Sequence, residues 1–275
     1  MSNTLESSFI PSTANYVQQG TGTPVILIHG LAASLHDWDD LIPELTKNGY
    51  AAYAPDLLGH GESPRQEVRT YRMDWVFEHF FYWMKSLRLT EPAILIGHSL
   101  GGYIALEYAR RLSARTRGLV LVNPFYSRAQ LPFLIRKTYS RPNLSKLVIG
   151  KVPEKWFRFF VDLSSATIGH SVGAMRSLPE RIRQQTVLDY KRTPPGVYHL
   201  PGAISEITNL LPEINTPTLV VWGDRDRTLA PSSFTGLVKA LPKARGEVMH
   251  AGHVPHQSHA EEFNQRVLKF LEELP

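Results

Sequence analysis

The chain has 275 residues, of which 43% are hydrophobic and 20% charged, and carries a formal charge of +5. A length of this order supports one large core, or a core with a smaller insert. The absence of cysteine excludes disulfides, thiolate metal sites, iron–sulfur clusters and a cysteine nucleophile.

The opening MSNTLESSFIPSTANY has neither the basic start nor the apolar stretch of a secretory signal. No run approaches the ~18 apolar residues of a membrane span. With no cysteine to protect, these features predict a cytoplasmic protein. TANYVQQGTGTPVILIHG reads as two strands joined by a Gly-rich turn; its Val25–His29 part is branched and apolar, as a strand buried on both faces requires. YAAYAPDLLGHGES gives a third strand that ends near Asp56 in a glycine-punctuated loop. A helix is predicted over residues 73–87, then a strand over residues 93–97, a helix after Ser99 and a strand in TRGLVLVNP. Two more strands, TPTLVVWGDRD and ARGEVMHAGH, flank a helix over residues 232–240. In the last helix Phe263, Val267, Phe270, Leu271 and Leu274 share one face. Strands alternating with helices predict an α/β fold with a mostly parallel central sheet flanked by helices.

Residues 124–215 break that rhythm with helix-like pieces and the breaker TPPG. Residues 124–200 hold 13 Lys or Arg against 4 Asp or Glu. The domain reading is therefore a core of residues 1–123 and 216–275, with a helical insert and return linker over 124–215. The insert lies over the C-terminal edge of the sheet, where open α/β folds bind ligands. Its basic surplus reads as a solvated surface; no nucleic-acid reading motif accompanies it. PEKWFRFF has the aromatic and basic mixture of a membrane-surface helix, but its short length favours packing within the insert.

In AILIGHSLGGYIALEYA a short apolar run changes to helical spacing at Ser99. Gly97-His98-Ser99-Leu100-Gly101 is G-x-S-x-G between a strand and a helix, the context in which a serine projects from a strained turn as a nucleophile. The Leu100 amide, at the positive helix end, can meet charge developing on a substrate carbonyl oxygen. A second donor belongs on the loop after the preceding central strand, where Gly30 lets the backbone approach and Leu31 offers its amide. His29, beside it, reads as shaping that loop rather than as a base. Serine needs a base, and His253 in HAGHVPHQ sits between the last strand and the last helix. The spacing His250, His253, His256, His259 invites a metal reading, but Gly252 and Pro255 interrupt it, so no metal is expected. The acid that orients the imidazole lies in VVWGDRD; position favours Asp226 and leaves Asp224 in play.

HGLAAS, DLLGHGES, GHSLGG, WGDRDRTLAP and GHVPHQSHAEEFN, in that order from about residue 24 to 270, together resemble the α/β-hydrolase superfamily, in particular its lidded esterases and meta-cleavage-product hydrolases. The resemblance implies the α/β-hydrolase fold with a helical cap between strands six and seven. It implies Asp226 as the acid through its W-G-x-x-D pattern, and oxyanion amides at Leu31 and Leu100. A serine at position 99 argues against the epoxide hydrolases and haloalkane dehalogenases, which carry aspartate there.

The expected activity is hydrolysis of carboxylic esters of small to medium apolar acyl groups through an acyl-enzyme, with no cofactor. The alternatives are a C–C bond hydrolase of vinylogous diketones, or a lactonase. Phe125, Tyr126, Phe133, Trp156, Phe157, Phe159 and Phe160 are the candidates for the substrate pocket. The expected partners are a small ester and water, without nucleic acid or a membrane segment.

Overall fold

A computed structural model describes residues 13–66, 70–131, 153, 156 and 178–275. Seven strands form one sheet: β1 (Tyr16–Gln19), β2 (Thr23–Ile28), β3 (Tyr50–Pro55), β4 (Ala93–His98), β5 (Thr116–Val122), β6 (Thr218–Gly223) and β7 (Ala244–Met249). Their order is β1-β3-β2-β4-β5-β6-β7. Only the β1–β3 pair is antiparallel; the other five pairs run parallel. Parallel neighbours need crossovers, and helices supply them. These are α1 (Ile42–Lys47), α2 (Met73–Ser86), α3 (Leu100–Arg111), α4 (Glu180–Arg192) and α5 (Ser232–Ala240); α6 (Ala260–Glu272) follows the last strand.

The period of two in β2 decides which layer each residue serves. Ile26 and Ile28 face a core with α2, α3 and α5, which contribute Phe80, Ile104 and Phe234. Val25 and Leu27 face the opposite core, closed by Trp38, Leu45 and the α6 residues Phe263, Val267, Phe270 and Leu271. Burial of each such side chain contributes roughly 1.5–3 kcal/mol. Every residue of β4 is buried, as expected for a central strand covered on both faces. The edge strand β7 is largely accessible.

The chain leaves the sheet after β5 and returns at β6. The described residues hold five strands before residues 124–215, one fewer than the expectation of a cap after strand six counts. α4 lies within this stretch and crosses back to the core: Ser34 Oγ, just after β2, donates to Asp189 Oδ2 at 2.7 Å. No helix among the described residues is long and apolar enough to cross a membrane.

Candidate active site

β4 ends at His98 and α3 begins at Leu100, so Ser99 alone makes the turn. Its φ of 49° and ψ of −113° lie where a side chain costs of order 1–3 kcal/mol. Backbone bonds to the end of β5 and to the residues just beyond it hold it there. Ser99 N–H donates to the Val122 carbonyl at 3.0 Å, and the Ser99 carbonyl accepts from Phe125 N–H at 2.9 Å. The flanking glycines are required by space. A Cβ on Gly97 would lie 2.4 Å from the Gly101 carbonyl oxygen, and one on Gly101 would lie 2.1 Å from that of Ile28.

The loop after β7 brings His253 over this turn. His253 Nε2 lies 3.1 Å from Ser99 Oγ, and His253 Nδ1 lies 2.7 Å from Asp226 Oδ2. A carboxylate opposite Nδ1 fixes the tautomer: Nδ1–H donates to Asp226, and the Nε2 lone pair faces the serine hydroxyl. Asp226 follows β6, and its side chain is wholly buried. Asn123 Nδ2 donates to Oδ2 at 2.7 Å, while the amides of Thr228 and Leu229 donate to Oδ1 at 2.7 and 3.0 Å. Burial opposes the carboxylate charge, but His253 and these donors outweigh it and hold the Asp226 carboxyl below its ordinary range. Asp224 turns the other way, to an exposed contact with His250 at 2.9 Å.

The four spaced histidines have separate surroundings. His250 meets Asp224, His253 meets Ser99, and His259 Nδ1 meets Ser258 Oγ at 2.9 Å. His256 packs its ring against Trp38 and His98, with centroids 4.9 and 4.4 Å away. Burial, and then the neighbouring His98, hold His256 well below the ordinary histidine range. Asp37, His98 and His256 do bring possible metal-ligating atoms within 4.8 Å of one another. Asp37 already accepts bonds from the Gly30 amide and from Gln257, and His98 contacts both Asp37 and the His253 carbonyl. Asp37 and His98 are thus engaged with the protein itself, whereas both ring nitrogens of His256 are buried without a hydrogen-bond partner among the described residues.

His29 shapes the loop beside the serine. Its Nε2 accepts from Leu57 N–H at 3.0 Å, so Nδ1 carries the proton and donates to the Gly30 carbonyl at 2.7 Å. Leu31 and Leu100 line a cavity of about 180 Å³ together with Ser99 and His253. Leu100 is the first residue of α3, so its amide belongs to the group that has no intrahelical acceptor.

Phe125 lines the same cavity. Tyr126 is buried beside α5, donating its hydroxyl to the Ser233 carbonyl at 2.9 Å. Trp156 is half exposed. Phe133, Phe157, Phe159 and Phe160 lie outside the described residues. The sequence reading missed Asn123, Leu229 and Asp189. The first two serve Asp226, and Asp189 is a cavity wall residue brought there by α4. Asn123 follows β5 directly and adopts a φ of 40°, a conformation that asparagine tolerates well.

Burial pushes the Asp189 carboxyl up from 3.8 to about 6, against the hydrogen bonds from Ser34 and Gln185. A carboxyl raised in the folded state favours folding most when protonated. Its contribution is therefore greatest below the unfolded value and declines as pH rises through the folded value. Asp189→Asn is expected to remove this decline. Relative to wild type, its urea-derived stability should gain up to about 3 kcal/mol between pH 3.5 and pH 8.

A sheet of this order, with a serine on the turn after its central strand facing an imidazole on a later loop, defines the α/β-hydrolase class. The chain belongs to that family: the model of the alpha/beta hydrolase fold matches residues 23–260. It is 30% identical over 254 residues to the pimeloyl-acyl-carrier-protein methyl ester esterase of Neisseria meningitidis serogroup B, covering 90% of this chain and 92% of that one. It is 28% identical over 247 residues to Lipase 3 of Moraxella sp. strain TA144, covering 86% and 73% of the two chains. The structure of a thermophilic esterase from Thermogutta terrifontis superposes with a TM-score of 0.79 at 23% identity, covering 94% and 93%. The protein is a hydrolase.

Proposed function

We propose that this hydrolase cleaves carboxylic esters of small to medium apolar acyl groups, with Ser99 as nucleophile, His253 as base and Asp226 as the acid that orients it. The observation that carries the reading is the bonded series from Ser99 Oγ through His253 to a buried Asp226, opening onto the cavity. In the first half-reaction His253 Nε2 takes the serine proton as Oγ attacks the ester carbonyl carbon. The Leu31 and Leu100 amides would stabilise the oxyanion. Collapse expels the alkoxide, which takes the proton from His253 and departs as alcohol. Water then attacks the acyl-serine, giving its proton to His253; that proton returns to Ser99 as the acid leaves.

The cavity wall supports the substrate class. Leu31, Leu100, Phe125, Leu131 and Leu229 offer apolar surface for an acyl chain. Residues 124–215 would form a helical cap over this opening, and the contact of Ser34 with α4 is in keeping with that role.

A panel of p-nitrophenyl esters from acetate to dodecanoate, a lactone and a vinylogous diketone tests the substrate assignment. The expected result is a maximum kcat/KM among the short and medium esters, with the lactone and diketone at least tenfold lower. A diketone preferred over every ester would overturn it.

A further inference from the structure

The middle residue of the serine motif is itself unusually placed. His98 is buried, and each of its ring nitrogens faces an oxygen: Nε2 lies 3.1 Å from the His253 carbonyl and Nδ1 lies 3.3 Å from Asp37 Oδ2. Asp37 is anchored on two further sides. Its Oδ2 accepts from the Gly30 amide at 3.3 Å, and its Oδ1 accepts from Gln257 Nε2 at 3.1 Å.

One imidazole and one carboxylate thus connect three separate segments. The His253 carbonyl and Gln257 belong to the base loop and the turn after it. Gly30 belongs to the loop that carries Leu31. His98 precedes Ser99 directly. The fit is close: a Cβ on Gly30 would sit 2.9 Å from His98 Nδ1. The charged and titratable neighbours are Asp37, His253 and His256 around His98, and His29, His60, His98, Asp189, Tyr190 and His256 around Asp37. Burial works against the charge of Asp37, but the His98 bond and these imidazoles prevail and hold it down to about 2. Burial likewise works against a charged His98 and keeps it below the ordinary histidine range, with Asp37 opposing. Asp37 is therefore an anion at neutral pH. A neutral His98 has one N–H, which on Nε2 donates to the His253 carbonyl and fixes the height of the base loop. The Nδ1 contact with Asp37 becomes a second donation when the ring is protonated.

We infer that His98 and Asp37 form a second, non-reacting imidazole–carboxylate pair that positions the backbone of the catalytic base against the oxyanion loop. This rests on the assignment of Ser99 and His253 above. The pair makes no hydrogen bond to Ser99 Oγ or to the His253 ring nitrogens, although both residues line the cavity and the His98 ring lies 5.0 Å from that of His253. Its effect falls on turnover through alignment, because a base displaced by a fraction of an ångström transfers its proton poorly while the cavity still binds ester.

The test measures kcat and KM for p-nitrophenyl butyrate in His98→Phe, His98→Gln, Asp37→Ala and the double variant His98→Phe/Asp37→Ala. Phenylalanine keeps the ring volume and loses both nitrogens; the glutamine amide can reach the carbonyl that Nε2 reaches. The expected result is a fall in kcat of tenfold or more for His98→Phe with KM within about twofold, and recovery of most of that loss in His98→Gln. The double variant should be no worse than the poorer single one, because both changes break one series of contacts. Equal kcat in the phenylalanine and glutamine variants, or additive losses in the double variant, would overturn the inference. Should His98→Phe fail to fold, His98→Gln and Asp37→Ala still decide: the former must keep most of kcat, and the latter must lose kcat with KM held. Ser99→Ala in the same panel separates the two readings. Retained turnover there removes the nucleophile assignment, whereas a dead Ser99→Ala beside a fully active His98→Phe removes only the positioning pair.

Discussion

Ser99→Ala is expected to remain folded and to lose p-nitrophenyl butyrate turnover by a factor on the order of 10³ or more. The serine hydroxyl makes no helix-capping bond, and its contact is the one with His253. Loss of a single partly exposed hydrogen bond costs about 1 kcal/mol, so urea midpoints should hardly move. Alanine inherits the same strained turn, which the Val122 and Phe125 backbone bonds maintain. Labelling with a fluorophosphonate probe supplies an independent readout: wild type should gain one adduct on Ser99, and the variant none. Full turnover in purified Ser99→Ala would remove the serine from the chemistry.

The second large effect separates two aspartates only two residues apart. Asp226→Asn should lower kcat by a factor on the order of 10⁴, whereas Asp224→Asn should leave kcat within about threefold of wild type. Every contact made by the Asp226 oxygens comes from a donor: His253 Nδ1–H, Asn123 Nδ2 and the Thr228 and Leu229 amides. An amide nitrogen at this position must face one of those donors, or turn the His253 ring to its wrong tautomer. The same mismatch should destabilise the fold by roughly 1–3 kcal/mol, measurable as a lower urea midpoint. Asp224 meets solvent and His250, where an amide serves equally well. Comparable kinetic losses in the two variants would reject the assignment of the acid.

These two residues also mark what can be read from the chain alone. The Ser99 turn is legible because a buried strand, a glycine-bracketed hydroxyl and a helical period are consecutive in sequence. The sheet is legible for the same reason, since each strand and crossover carries its own period. Asp224 and Asp226 have similar local sequence; position favours Asp226, and the resemblance to the W-G-x-x-D pattern strengthens that choice. What physically sorts them is Asn123, 103 residues away, together with amides that turn inward after β6. The Ser34–Asp189 bond spans 155 residues, and so does the contact of His98 with the His253 carbonyl. No periodicity encodes such pairs, because they exist only once the loops after β2, β4 and β7 converge. Tyr126 makes the same point from the other side: its ring is as apolar as that of Phe125, and the Ser233 carbonyl draws its hydroxyl toward α5.

The Ser99 turn owes its location to main-chain bonds with Val122 at the end of β5 and with Phe125, at the very start of residues 124–215. Residues beyond Phe125 can therefore change, lengthen or be transplanted from a cousin with little disturbance to the serine turn. Diversification of substrate choice in such a molecule is uncoupled from upkeep of its chemistry, and grafting that stretch is the natural route to a new preference.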